Sequence, residues 1–184
     1  MVHLPAEGRT VALDTPPAEA FDVGFVFPTR TQSGAALSAL HSLPWVNGRD
    51  AVLTSRNKGG VLATLGAAGL PVPETTMVAS PVDDAALADA ADRLGWPVVV
   101  KPNSTTRGTG VTKATDLDSL LGIVDYLDLV HDYRATGDKT FLLQEYLPDA
   151  RDYRVMVVDG AYAGAVERRL PEVDREAGRW KHNV

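Results

Sequence analysis

The stretch "VVVKPNSTTRGTGV", Val98–Val111, decides how this chain reads. Three β-branched residues run into a lysine and a proline, then into small polar residues and glycines with one arginine, then into a valine. The apolar run predicts a buried strand. Lys101 closes it, where burial strips an ammonium of its hydration unless a negative partner replaces the water. The tract beyond predicts a hairpin tip holding Gly108 and Gly110. Glycine adopts the dihedrals such a tip needs, and the absence of side chains lets backbone N–H groups approach a ligand. Successive N–H groups aimed one way form a concave anion site. A polyphosphate answers both oddities, with Arg107 as a second cation at the tip. The competing reading is a surface loop, with Lys101 extended to water along its aliphatic stem. The tract is not a P-loop, because no Gly-Lys-Ser/Thr follows it.

The elements on either side alternate between strand and helix. "VALD", Val11–Asp14, and "FDVGFVFP", stopping at Pro28, read as strands; "SGAALSALHSL", Ser33–Leu43, as a modest helix; "LPWVNG" as a short strand or turn. In "TSRNKGGVLATLGAAGLPVPET", Thr54 or Ser55 can cap a helix whose apolar side is Val61, Leu62, Leu65 and Ala68, with Gly69 ending it. "TTMVAS" is a strand. "SPVDDAALADAADRLG" predicts a helix opened by Ser80 with proline at its first position and closed by Gly95. "GVTKA" returns from the glycine tract, "TDLDSLLGIVDYLDLV" (Thr115–Val130) is an amphipathic helix, and "FLLQEYLP" is a strand entering a proline-ended linker. "DYRVMVVDGAYAGAVERR" is a hairpin turning at Asp-Gly. The tail from Leu170 is polar loop. This is an α/β (α+β) chain, with a lobe boundary expected near Gln144–Asp149.

Composition narrows the function classes. Apolar residues make up 45% of the 184 positions, as in a globular domain. A net charge of −6 argues against a dedicated nucleic-acid binder. The chain has no cysteine, which excludes thiol catalysis and Cys–zinc sites. No apolar run approaches the roughly 18 residues that span a bilayer, and "MVHLPAEGRT" lacks the pattern of a signal peptide. Membrane partners are therefore not expected, and a cytoplasmic location is. The four histidines are scattered, and no metal-ligand spacing or Ser–His–Asp arrangement is read.

Three further charged clusters stand out. Glu145 begins a linker whose backbone can meet the edge of a flat heterocycle. Asp152 and Arg154, two apart on a strand, share a face, and a carboxylate there can accept from ribose hydroxyls. In "AVERRL", alternation puts Glu167 and Arg169 on one face and Arg168 on the other; guanidinium forks suit phosphate or carboxylate. Lys58, at a helix start, also favours an anion. Each alone also reads as a solvated surface charge or ion pair.

Taken in order, "SRNKGGVLATLGAAGLPVPET", "PVVVKPNSTTRGTGV", "FLLQEYLPDARDYRVMVVDG", "AVERR" and "KHN" resemble the ATP-grasp superfamily, most closely its RimK-like branch. The resemblance runs from about Phe21 to Val184. It implies two lobes with a nucleotide between them: part of a pre-ATP-grasp α/β domain over 1–50, an N-lobe with the glycine-rich loop over 51–140, and a C-lobe over 141–184. It implies an ATP-dependent carboxylate–amine ligase, in which ATP phosphorylates a carboxylate and an amine attacks the acyl phosphate. By this resemblance Lys58 and Lys101 hold the α- and β-phosphates. Ser104, Thr105, Thr106, Arg107, Gly108, Thr109 and Gly110 form the mobile loop over the phosphates. Glu145, Tyr146 and Leu147 line the adenine edge, and Asp152 takes the ribose hydroxyls. Arg168 or Arg169 faces the transferring phosphate or acyl intermediate. Lys181 and Asn183 stand where the family has an Arg-Ser-Asn run, with His182 replacing a small residue.

The family's magnesium ligands, an Asp and then Glu-x-Asn, fall in the segment after the point where this chain stops, so Mg2+ is expected as cofactor with its ligands outside 1–184. Little turnover is expected from 1–184 alone. The substrates implied are an amino acid such as glutamate and a carboxylate on a small molecule or a protein C-terminus. A hairpin lobe with uncovered apolar faces predicts a tendency to associate, including as a homo-oligomer. Two other readings remain open: a non-catalytic ATP-binding module, and a biotin-dependent or purine-pathway ATP-grasp enzyme.

Overall fold

The computed structural model describes residues 2–3, 11–12, 21–25, 43–105, 108–134 and 139–172. The chain forms two compact units, 1–68 and 69–184.

In the first unit, β1 (Val2–His3) pairs antiparallel with β2 (Val11–Ala12), and β3 (Gly24–Phe25) pairs parallel with β4 (Trp45–Val46). A Cβ on Gly24 would sit 2.5 Å from the Trp45 ring, so only glycine lets the indole lie across that strand. Two helices follow, α1 (Arg49–Arg56) and α2 (Lys58–Ala67). The expected cap at Thr54 or Ser55 is corrected: both lie inside α1, and Asn57 caps α2 by accepting from Gly60 N at 2.9 Å. Gly69 follows the helix with φ 74°, as expected for its stop. The helix expected over Ser33–Leu43 lies outside the described residues apart from Leu43, as does the Val26–Pro28 end of the strand before it.

The second unit is built on a four-stranded antiparallel sheet. Its strands are β5 (Thr75–Ala79), β6 (Val98–Pro102), β7 (Thr112–Ala114) and β8 (Thr140–Glu145), in the order β5-β8-β6-β7. Alternation sends Val78, Val98, Val100, Ala114, Phe141 and Leu143 to one face. There they meet Leu87, Ala90 and Ala91 of α3 (Asp84–Leu94) and Leu120, Val124 and Leu127 of α4 (Leu117–Arg134) to form the core. Those helix residues recur three and four apart, the spacing of a single helical stripe.

Helix α3 begins later than expected. Asp83, not Ser80, is its cap and accepts from Ala86 N at 2.9 Å, because the carboxylate next to the apolar stripe outcompetes a serine three positions earlier. Gly95 closes it with φ 79°. Asp116 caps α4 by accepting from Ser119 N at 2.8 Å; that bond, with those from the Ser119 and Thr115 side chains, pulls its pKa down.

A separate two-stranded sheet, β9 (Asp152–Val158) and β10 (Ala161–Arg168), completes the described residues. Its turn has φ 49° at Asp159 and 74° at Gly160, the paired positive values of the expected Asp-Gly hairpin. The fold is the mixed α/β (α+β) architecture expected.

Candidate functional site

The face of the four-stranded sheet turned away from α3 and α4 carries the polar chemistry. Register places Thr75 opposite Gln144, Gln144 opposite Val99, and Lys101 opposite Leu142, so all of these side chains share that face. Lys101 Nζ donates to Gln144 Oε1. Gln144 Nε2 donates to Thr75 Oγ1 at 2.8 Å, and Thr75 Oγ1 donates to Pro73 O at 2.8 Å. One chain of hydrogen bonds thus runs across three neighbouring strands, through a glutamine only 4% exposed.

This chain fixes the ammonium of Lys101 without neutralising it. Gln144 is an amide, so it orients the cation and cancels none of its charge. Burial lowers the Lys101 pKa from its ordinary 10.5, and among the described residues no carboxylate pairs with it to reverse that. A desolvated, oriented cation gains most from an incoming anion.

The glycine tract joins β6 to β7 as a hairpin, as expected. Gly108 and Gly110 have φ of 68° and 75°, which side-chain-bearing residues rarely adopt. Gly110 has a second constraint: a Cβ there would stand 2.7 Å from Pro102 Cγ. The loop is tied by Val111 N to Gly108 O at 3.1 Å and by Thr105 Oγ1 to Thr109 O at 2.8 Å. Ser104 and Thr105 are half-buried at its base. Thr106 and Arg107 lie outside the described residues.

The linker after β8 is anchored on its β5 side. Glu145 N donates to Glu74 O at 3.0 Å, and Glu74 N donates back to Glu145 Oε1 at 2.8 Å. The Glu145 amide and carboxylate are both committed to Glu74. Amide contacts to a base edge therefore have to come from further along, at Tyr146, which is half-buried, and Leu147, which is exposed.

Two residues on this face escaped the sequence reading. Lys113 pairs with Val99 in the β6–β7 hairpin, so it shares the face of Lys101, and its ammonium lies 4.6 Å from the centre of the Tyr146 ring. The signal was available: once "GVTKA" returns as a strand, the register decides the face of its lysine. Gln144 was missed likewise, hidden in the apolar run "FLLQEY".

On the β9–β10 hairpin, Asp152 and Arg168 stand opposite each other, and Arg168 Nη2 donates to Asp152 Oδ2. Arg169 turns to Glu167 instead, in an exposed pair that lowers the Glu167 pKa and raises that of Arg169. The two arginines therefore diverge, as strand alternation expects. Lys58 opens α2 in the first unit, next to the Asn57 cap. Lys181 and Asn183 lie outside the described residues.

Comparison with known proteins identifies the family. Residues 55–181 match the family model of the RimK-like ATP-grasp domain. The chain is 33% identical over 125 residues to N-acetylaspartylglutamate synthase A of Mus musculus, covering 67% of this chain and 31% of that protein. It is 33% identical over 131 residues to a probable alpha-L-glutamate ligase of Stenotrophomonas maltophilia, covering 70% and 41%. It is 31% identical over 126 residues to the ribosomal protein bS6–L-glutamate ligase of Shigella boydii, covering 67% and 39%. Among solved structures, a RimK domain ATP-grasp protein from Sphaerobacter thermophilus superposes with a TM-score of 0.63 at 25% identity, covering 86% of this chain and 59% of that one. A D-alanine–D-alanine ligase from Bacillus anthracis complexed with ATP shares the fold, with a TM-score of 0.64 at 20% identity over 84% and 50%. The chain belongs to the RimK-like ATP-grasp family. It spans 31–41% of the length of these curated relatives.

Proposed function

We propose that this chain binds the triphosphate of ATP in an ATP-dependent carboxylate–amine ligase. The observation that carries this reading is Lys101: a half-buried ammonium, held by a neutral amide and followed by a glycine-tipped loop. Phosphoryl transfer to a carboxylate brings anions together, so it depends on cations and positioning. Lys101 supplies the first cation and Lys58 a second. The Ser104–Gly110 loop covers the phosphates and keeps water from the acyl phosphate. Glu145 through its carbonyl, Tyr146 and Leu147 meet the base edge, Asp152 the ribose, and Arg168 or Arg169 the transferring phosphate. For Asp152 and Arg168 this requires exchanging part of their mutual ion pair for ligand contacts.

Magnesium, which the resemblance implies, would when bound draw charge off the transferring group. Among the described residues no three His, Asp or Glu side chains cluster to hold such an ion, and no step here is assigned to it. The names of the relatives support glutamate or a similar amino acid as the amine, and a small carboxylate or a protein as the acceptor; the resemblance makes the protein's C-terminus the carboxylate in the second case. Among the described residues no helix is long and apolar enough to cross a membrane. Use of ATP fits a cytoplasmic location.

Calorimetric titration with ATP and AMP tests the reading. ATP at least about tenfold tighter than AMP is the expected outcome, and equal affinity for the two would remove the triphosphate grip. Hydroxylamine trapping with ATP and a small carboxylate, glutamate omitted because hydroxylamine takes the place of the amine, reads turnover separately: little hydroxamate is expected from residues 1–184, and a carboxylate-dependent hydroxamate would show that they form the acyl phosphate themselves.

A further inference from the structure

The main-chain ladder between β8 and β6 ends at Glu145, which faces Val98. The residue before β6 is Pro97, which has no N–H to donate and can offer the linker only its carbonyl. Two contacts flank the linker. Glu74 grips it through Glu145 on the β5 side. On the other side the Lys113 ammonium reaches from β7, past β6, to lie 4.6 Å from the Tyr146 ring centre. Both residues are half-buried, where an ammonium gains more from a ring face than it does in open water.

We propose that Lys113 is a positioning residue for the base end of the nucleotide: by holding the Tyr146 ring it sets the linker that presents the base edge. This rests on the nucleotide reading above and deepens it. The two lysines on this face then have separate tasks. Lys101, held by an amide, keeps its charge for the polyphosphate. Lys113 directs its charge at a ring and acts through the linker. Losing that charge should weaken every ligand that carries the base and spare a ligand that is polyphosphate alone.

Calorimetric titrations of wild type, Lys113→Met and Lys113→Arg with ATP, ADP and inorganic tripolyphosphate separate these roles, with thermal unfolding measured alongside. Methionine keeps much of the aliphatic stem and removes the charge; arginine restores a cation over the ring. The expected result is that Lys113→Met weakens ATP and ADP by the same factor, about three- to tenfold, as a half-buried cation–π contact supports. Tripolyphosphate affinity should stay within about twofold, and Lys113→Arg should return ATP affinity to within about twofold of wild type. The near-UV circular dichroism of the tyrosines should change in Lys113→Met and recover in Lys113→Arg. Unchanged ATP affinity in Lys113→Met, or no rescue by arginine, overturns the proposal. So does an equal loss for tripolyphosphate, which would mean that Lys113 meets phosphate directly. A wild type that binds tripolyphosphate but not ATP any tighter would remove the base site and this inference with it, a result distinguishable from a failure of Lys113 alone.

Discussion

Arg168 stands directly across from Asp152 because the β9–β10 hairpin carries one extra residue. At its turn Val158 faces Ala161 and Val157 faces Tyr162. Continued without interruption, that register would set Asp152 against Glu167, two carboxylates face to face. A bulge between Tyr162 and Gly164 shifts the pairing by one, and Arg168 arrives opposite Asp152 instead. The shift passes through Gly164 at φ 155°, a backbone state that side chains disfavour.

Gly164→Val should therefore strain the bulge at a cost of about 1–3 kcal/mol and weaken the Asp152–Arg168 pairing. Chemical denaturation gives the first quantity, and cross-strand nuclear Overhauser contacts report the second. A variant with wild-type stability and the same cross-strand contacts would show that the bulge does not depend on glycine.

Two other glycines should respond in opposite directions. Gly110→Ala meets both a positive φ of 75° and Pro102 at 2.7 Å, and should cost about 1–3 kcal/mol while weakening nucleotide binding. Gly122→Ala, inside α4 with nothing within 4 Å of the added methyl, should stabilise by about 0.5–1 kcal/mol. Thermal unfolding of the two variants in parallel checks both signs; a stabilised Gly110→Ala would refute the close approach.

Much of this was legible in the residues, and the gaps have physical causes. The Asp-Gly turn, the stops at Gly69 and Gly95, and the strand "VVVKP" each rest on local backbone preference, which sequence carries directly. The starts of α2 and α3 were misplaced because several capping residues stand in a row: Thr54, Ser55 and Asn57 before one helix, Ser80 and Asp83 before the other. Tertiary packing chooses among them. Lys113 and Gln144 were missed because their importance lies in cross-strand register. The Asp152–Arg168 pair depends on a bulge that no count from the turn predicts.

The lowered pKa of Lys101 has a consequence for pH. A lysine whose folded-state pKa lies below its unfolded 10.5 binds its proton more weakly when folded. The resulting stability cost is present below the folded value and is relieved as pH rises through it towards 10.5. ATP needs the protonated ammonium, so binding should draw the pKa back up. Affinity should fall as pH rises through the lowered value, and binding there should take up protons. Calorimetry in two alkaline buffers of different ionisation enthalpy measures that uptake. Affinity that stays flat up to pH 10.5 would contradict the assignment.

The most direct measurement titrates ATP calorimetrically into the wild type, Lys101→Ala and Lys139→Ala. Lys139 is exposed and precedes β8, which makes it a control of equal charge. The account predicts wild-type affinity in Lys139→Ala and no measurable binding in Lys101→Ala. The same dissociation constant in all three proteins would contradict it.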